Sequence, residues 1–276
     1  MKFSIGTFLG FSICTALIIL GIMDTAGAIR LEHYIPNMMK NPFIHIAGFF
    51  IVFGGVMASM FVMYPVNVVF GALGKFGQLF SQTKHKAISI NEDVEMVVGW
   101  ADRIKKDKKE FLNDIAQNEK DSFVRLLFDL YNTNYSSSDI RTMGETSIDK
   151  DYSQSIQMSD VFHAMANSAP AFGMLGTVLG MIVMLNNLND PSNIGPGIST
   201  GLIGTLYGVA SANLFFIPLS KKIRYNGLHT QRREIIILEG MLLIKENKPS
   251  MVIRDQLMSF VSRDDSDAST KTATAK

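Results

Sequence analysis

Thiol chemistry is all but missing from this chain. Of 276 residues one is cysteine, Cys14, and it lies inside an apolar run, so neither an intrachain disulfide nor a cysteine-based zinc site can form. An excess of either charge is missing too: 26 Lys and Arg stand against 25 Asp and Glu, for a net charge of +1. No bulk field draws a polyanion, and nucleic acid is not an expected partner. The five histidines, His33, His45, His85, His163 and His229, are scattered, and no paired carboxylates or nucleophile accompany them, so an enzyme and a resident cofactor are not expected. Charge of any sign is scarce, at 18% of residues against 47% apolar. With a mean hydropathy of +0.18, the composition averages a soluble portion with a membrane portion and excludes disorder as the main state.

What is present is four uncharged windows, 3–23, 43–64, 164–188 and 198–219, each long enough as a helix to cross about 30 Å of hydrocarbon. For the first, a secretory signal is the competing reading, with Lys2 ahead of the apolar run and Ala26, Gly27 and Ala28 after it. A signal core is usually only about 7 to 15 residues, and 3–23 is long enough to span. The expected fold is all-α, a four-span transmembrane subunit with a helical soluble region.

Orientation follows from the basic residues. The loop 24–42 holds Arg30 and Lys40, and 189–197 holds none; the other 24 of the 26 lie at Lys2, between the second and third spans, or after the fourth. Both termini and the large loop are expected on the cytoplasmic side of the membrane. The layout that follows is 1–66 for two spans and the external loop, 67–161 for a cytoplasmic helical region, 162–219 for the last two spans, 220–262 for C-terminal helices and 263–276 for a disordered tail.

In the soluble region, Val94, Val97, Val98, Ala101 and Ile104 recur at helical spacing and Phe111, Leu112 and Ile115 follow on a later face, predicting helix over 92–131. A turn-rich stretch, 132–138, precedes a polar segment leading to the third span. Helix is predicted again over 232–244 and 252–261, with Lys248-Pro249 as the break between them. The run Lys105, Lys106, Lys108, Lys109 interrupts an otherwise mixed-charge surface. It reads either as a solvated face near anionic lipid or as a docking surface for an acidic partner.

The last two windows carry the chemistry. Ala169, Gly173, Gly176 and Gly180 in one, and Gly201, Gly204, Gly208 and Ser211 in the other, put small residues on one face and admit close helix approach. Close packing and nothing more is one reading of them. Pro170 and Pro218 add a second, because each removes a backbone donor and releases the carbonyl four residues back, those of Ala166 and Leu214. Freed carbonyls, the hydroxyls of Thr177 and Thr205 and close-approach glycines are suitable parts for a path that strips a small cation of water. No Asp, Glu, Lys or Arg lies in any window, so conduction requires a partner that brings an intramembrane acid.

These residues resemble the A-subunit of bacterial flagellar stators, MotA and PomA type, within the wider MotA/TolQ/ExbB group. The resemblance is closest over 169–219, where Ala-Pro-Ala-Phe-Gly-Met-Leu-Gly-Thr-Val-Leu-Gly is followed by Asn-Asp-Pro-Ser-Asn-Ile-Gly-Pro and Gly-Thr-Leu-Tyr-Gly-Val. It resumes at Glu239-Gly240-Met241-Leu242-Leu243-Ile244, Pro249 and Ile253, with a weaker trace in Gly54-Gly55 and Tyr64-Pro65. It implies an all-helical subunit, five copies of which surround two copies of a single-span B-subunit that supplies an aspartate, binds peptidoglycan and lets ion flow turn the flagellar rotor. Pro170 and Pro218 match the family's functional prolines, and Gly173 and Gly204 flank the expected ion path. Thr177 and Thr205 match positions beside the ion. Sodium-driven relatives carry threonine at the first of these where proton-driven ones typically carry alanine, so sodium is the expected ion and the proton its alternative.

The chain departs from the family where relatives meet the rotor switch protein. The basic-acidic motif there becomes Ile104-Lys105-Lys106-Asp107-Lys108-Lys109-Glu110-Phe111-Leu112-Asn113-Asp114, with Lys105 and Lys106 standing in for the basic pair and Asp114 for the acid. The competing functions are a stator-like energiser of another envelope, gliding or defence process, as in TolQ and ExbB, and a membrane scaffold.

Overall fold

The computed structural model describes residues 12, 13, 16, 18–20, 23, 45–75, 90–133, 135–186 and 191–260. Seven described positions in the first apolar window are helical; the rest of that window, the expected external loop and the expected tail lie outside the described residues. Among the described residues there are helices and no strands, as expected. They are α1 (Ile46–Met63), α2 (Val66–Gly74), α3 (Ile90–Lys106), α4 (Lys108–Asn118), α5 (Ser122–Asn132), α6 (Ser137–Asn186), α7 (Pro191–Ser211), α8 (Ile217–Lys245) and α9 (Ser250–Met258), with a π-helical segment, Ala212–Phe216, joining α7 to α8. Two compact units form, one from Met1–Phe80 and Ile156–Arg224, the other from Ser81–Ser155 and Tyr225–Lys276.

The first unit holds the apolar spans. Among the described residues three stretches are long and apolar enough to cross a membrane: α1, α6 and the run Gly197–Lys245. The Tyr64-Pro65 step ends α1, because Pro65 has no N–H to extend the ladder; it serves instead as the N-cap of α2, at φ −59°. Val56, Met60, Phe162, Met165, Ala169 and Leu219 form part of the core. Buried Ser159 donates to the Ser220 carbonyl at 2.9 Å, and Tyr64 Oη donates to the Asp160 carbonyl at 3.3 Å, so polar groups at one end of the spans are satisfied by neighbouring helices. The third span is not a separate element. It is the apolar part of α6, 50 residues long, and the polar segment expected to lead into it belongs to the same helix.

The second unit corrects the single helix expected over 92–131. Three helices occupy that stretch, because two aspartates cap new helix starts. Asp107 Oδ1 accepts from the N–H groups of Lys109 and Glu110 at 3.1 and 3.0 Å, and Asp121 Oδ1 from those of Phe123 and Val124 at 2.9 and 3.5 Å. Each satisfies donors that a helix start leaves open. Val97, Leu127, Ile237, Met241 and Ile253 make the core, and Trp100 meets Phe128 edge to face with centroids 5.1 Å apart. Between α8 and α9, Asn247 takes the left-handed conformation at φ 57° and Pro249 caps α9, which is the break that Lys248-Pro249 announces.

Candidate functional site

In the first unit, α6 and α7 approach through their glycines. A Cβ added at Gly180 would lie 2.4 Å from the Gly197 carbonyl, at Gly208 2.5 Å from the Ala169 carbonyl, and at Gly173 2.9 Å from the Gly204 carbonyl. Real Cβ atoms do not come so close, so this backbone contact exists because those residues have no side chain. The glycines are therefore close-packing residues, and their packing is also what brings two hydroxyls together.

Thr177 on α6 and Thr205 on α7 are half-buried, and their Oγ1 atoms lie 2.6 Å apart. Thr205 Oγ1 is 3.2 Å from the Gly173 carbonyl; Thr177 Oγ1 is 3.3 Å from that same oxygen and 3.2 Å from the Gly201 carbonyl. Four oxygens thus share two protons. The two hydroxyls bond each other and one carbonyl, which leaves lone pairs over for a further donor or a cation. Gly173, Thr177, Gly204 and Thr205 lie together. The Gly201 carbonyl is a member that the sequence reading did not single out, since a backbone oxygen at a packing glycine has no compositional signal.

Pro170 lies inside α6, one turn before Gly173, and the Ala166 carbonyl receives no donor from that position. Pro218 is 13 residues beyond Thr205, about 20 Å along a helix, and is not part of the threonine cluster. The chain reaches Pro218 already out of α-helical register, for the Ile217 N–H donates to the Ala212 carbonyl, five residues back. The carbonyl next in line for the absent proline donor is thus Asn213's, where the sequence pointed to Leu214. Asn213 itself is exposed, with its side-chain amide donating to the Val209 carbonyl at 2.9 Å. An amide inside an apolar window was the signal that could have drawn attention to this turn.

Two contacts seat α1 against this pair. Phe172 packs over Gly55, where a Cβ would come within 2.2 Å of its ring, and the His45 N–H donates to Tyr207 Oη at 3.0 Å. Outward of the glycine faces, Met174, Leu175, Val178, Leu202 and Leu206 are exposed apolar side chains, fitting lipid or another membrane helix. No cluster of three or more His, Cys, Asp or Glu suited to a metal occurs among the described residues.

The three expected rotor-contact residues belong to the second unit. Lys105 and Lys106 close α3, exposed; Lys105 Nζ donates to Ser250 Oγ at 3.4 Å. Asp114 on α4 pairs with Arg103 at 3.2 Å, and hydrogen bonds from Asn118 and then Arg103 hold its carboxyl below the usual range. Arg103 also stacks on Phe111, 4.6 Å from the ring centroid. The corner is a surface of mixed sign with an excess of lysine.

A model of the MotA/TolQ/ExbB proton channel family matches residues 114–234. YtxD of Bacillus subtilis (strain 168) is 28% identical over 264 residues, covering 96% of this chain and 93% of that protein. Motility protein A of Aquifex aeolicus is 31% identical over 227 residues, covering 80% and 82%. Among solved structures, that of C. jejuni MotAB superposes with a TM-score of 0.70 at 21% identity, over 90% of this chain and 96% of that one, and so shares the fold. This is a family of ion channels, not of enzymes. The chain belongs to the MotA/TolQ/ExbB family, as a membrane subunit of the motility protein A type.

Proposed function

We propose that this chain is the ring-forming subunit of a flagellar stator and that the ion it carries is sodium. Five copies would enclose two copies of a single-span partner bearing one intramembrane aspartate and a peptidoglycan-binding domain, and ion flow would turn the assembly against the rotor switch protein. The observation that carries the sodium reading is the cluster of Thr177 and Thr205 hydroxyls with the Gly173 and Gly201 carbonyls. A dehydrated cation has to replace its water with several oxygens, and this cluster supplies up to four; a partner carboxylate supplies the charge. On a sodium ion's arrival the 2.6 Å Thr177–Thr205 bond must open, both hydroxyls turning their lone pairs to the ion. Pro170 and Pro218 both lie on the Ser159–Ser220 side of the cluster, and Lys105, Lys106 and Asp114 face the rotor.

The test is ion flux through the complex of this chain with its partner, with sodium replaced by potassium at constant pH. Flux should fall at least tenfold, and Thr177→Ala should lower it in sodium as well. Undiminished flux without sodium would assign the proton as the carried ion and leave Thr177 as a packing hydroxyl.

A further inference from the structure

Glu234 is a carboxylic acid in the wrong place for an ordinary surface charge. It follows Arg233 on α8, is 5% exposed, and its Oε2 has no hydrogen-bond partner among the described residues. Carboxylates are almost never buried without a cation or a set of donors, so this one demands an account.

Its surroundings supply one. From α3, Asp93 accepts from Arg233 Nε at 3.1 Å, and Glu92 stands beside Asp93; from the start of α5, Asp121 pairs with Arg233 Nη1. From α6, Asp151 adds another negative charge, and Arg233 is the cation that acts on Glu234. One guanidinium is therefore already shared by two acids before Glu234 ionises. Asp121 has a second task, because its other oxygen caps the first turn of α5 at Phe123 and Val124.

We propose that Glu234 is a proton-operated latch of the second unit. When neutral it lies in the core, and Arg233 holds α3 and the α5 cap together. When ionised it repels Asp121 and Asp151 and competes for Arg233, which loosens the first turn of α5. Burial first, then Asp151 and Asp121, push its carboxyl from 4.5 up to about 7, placing the change near neutrality. The inference is independent of which ion the membrane spans carry.

Hydrogen exchange of the amides of residues 122–127 tests it, with the full chain in its partner complex at pH 6 and pH 8 and rates corrected for intrinsic exchange. With a carboxyl titrating at about 7 in the closed form and 4.5 in the open one, opening should become roughly tenfold easier between those two pH values. Glu234→Gln should hold the protection of the low-pH state at both. Glu234→Met, similar in length, unbranched and uncharged, should do the same and serves if the glutamine variant does not fold. The first turn of α4, capped by Asp107, is the internal control and should not respond. A flat profile in the unsubstituted chain would overturn the proposal, as would an unchanged tenfold response in either variant.

Discussion

At the scale of the residue, glycine has opposite consequences according to what lies where its side chain would be. Gly180 sits on α6 with the Gly197 carbonyl 2.4 Å from the place a Cβ would take, whereas Gly99, inside α3, has nothing within 4 Å. Gly180→Ala must therefore push two backbones apart, at a cost of about 1 to 3 kcal/mol. Gly99→Ala removes unfolded-chain freedom and adds a better helix former, stabilising by about 0.5 to 1 kcal/mol. Thermal unfolding of the purified chain should show the first variant melting several degrees lower and the second unchanged or higher. Two equal shifts downward would contradict the helix contact described for α6 and α7. Which glycine belongs to which class was half readable in the sequence: spacings of three and four marked the faces of the last two spans, but the partner across each face was not. The same limit applies to the threonines. Their positions on each helix followed from the pattern, and their 2.6 Å contact needed the fold. Glu234 was not readable at all, because Arg233-Glu234 beside Arg232 has the composition of a solvated helix face.

At the scale of the element, the charged stretch between the second and third spans shows why periodicity alone overextends helices. The apolar positions in α3, α4 and α5 remain compatible with continued helix, and only the caps mark the cuts. Asp107 with Glu110 three residues on, and Asp121 before Ser122, were those marks, lost among many acidic residues. The π-helical segment Ala212–Phe216 has no composition of its own, since one extra residue per turn changes bonding register and not residue type. By contrast the Lys248-Pro249 break was plain, because proline removes a donor wherever it stands, whereas the same signal at Pro65 was not drawn on. The two caps differ in what they hold. Asp107 caps α4 at an exposed site, so Asp107→Ala should cost about 1 kcal/mol. Asp121 caps α5 and also takes one arm of Arg233, so Asp121→Ala should cost about 2 to 3 kcal/mol, the cap plus a charged hydrogen bond. Denaturant unfolding followed by Trp100, packed on Phe128 of α5 and the single tryptophan of the chain, measures both. Equal losses would mean that Arg233 is indifferent to its second partner.

At the scale of the whole molecule, the distribution of charge governs what the chain can do by itself and how it lies in the bilayer. The apolar windows contain no ionisable Asp, Glu, Lys or Arg, so a cation at that depth would meet oxygens but no countercharge. The purified chain should accordingly conduct no ions in liposomes, and conduction should begin only with a partner that brings an intramembrane carboxylate. Steady cation flux through the chain alone would refute this. Orientation follows from the placement of the basic residues. Loops 24–42 and 189–197 together hold 2 of the 26 Lys and Arg, while Lys221, Lys222 and Arg224 crowd the end of the last window. Basic residues in short flanking segments resist transfer to the outer face of the membrane. Both ends of the chain and the lysine corner of α3 and α4 are therefore predicted inside. With Cys14 replaced by serine, a cysteine placed at Asn37 or Asn193 should react with a membrane-impermeant thiol reagent in intact cells. One placed at Asn113 should react only after the cells are opened. Labelling of position 113 in intact cells would reverse the topology and, with it, overturn the proposal that Lys105 and Lys106 meet the rotor.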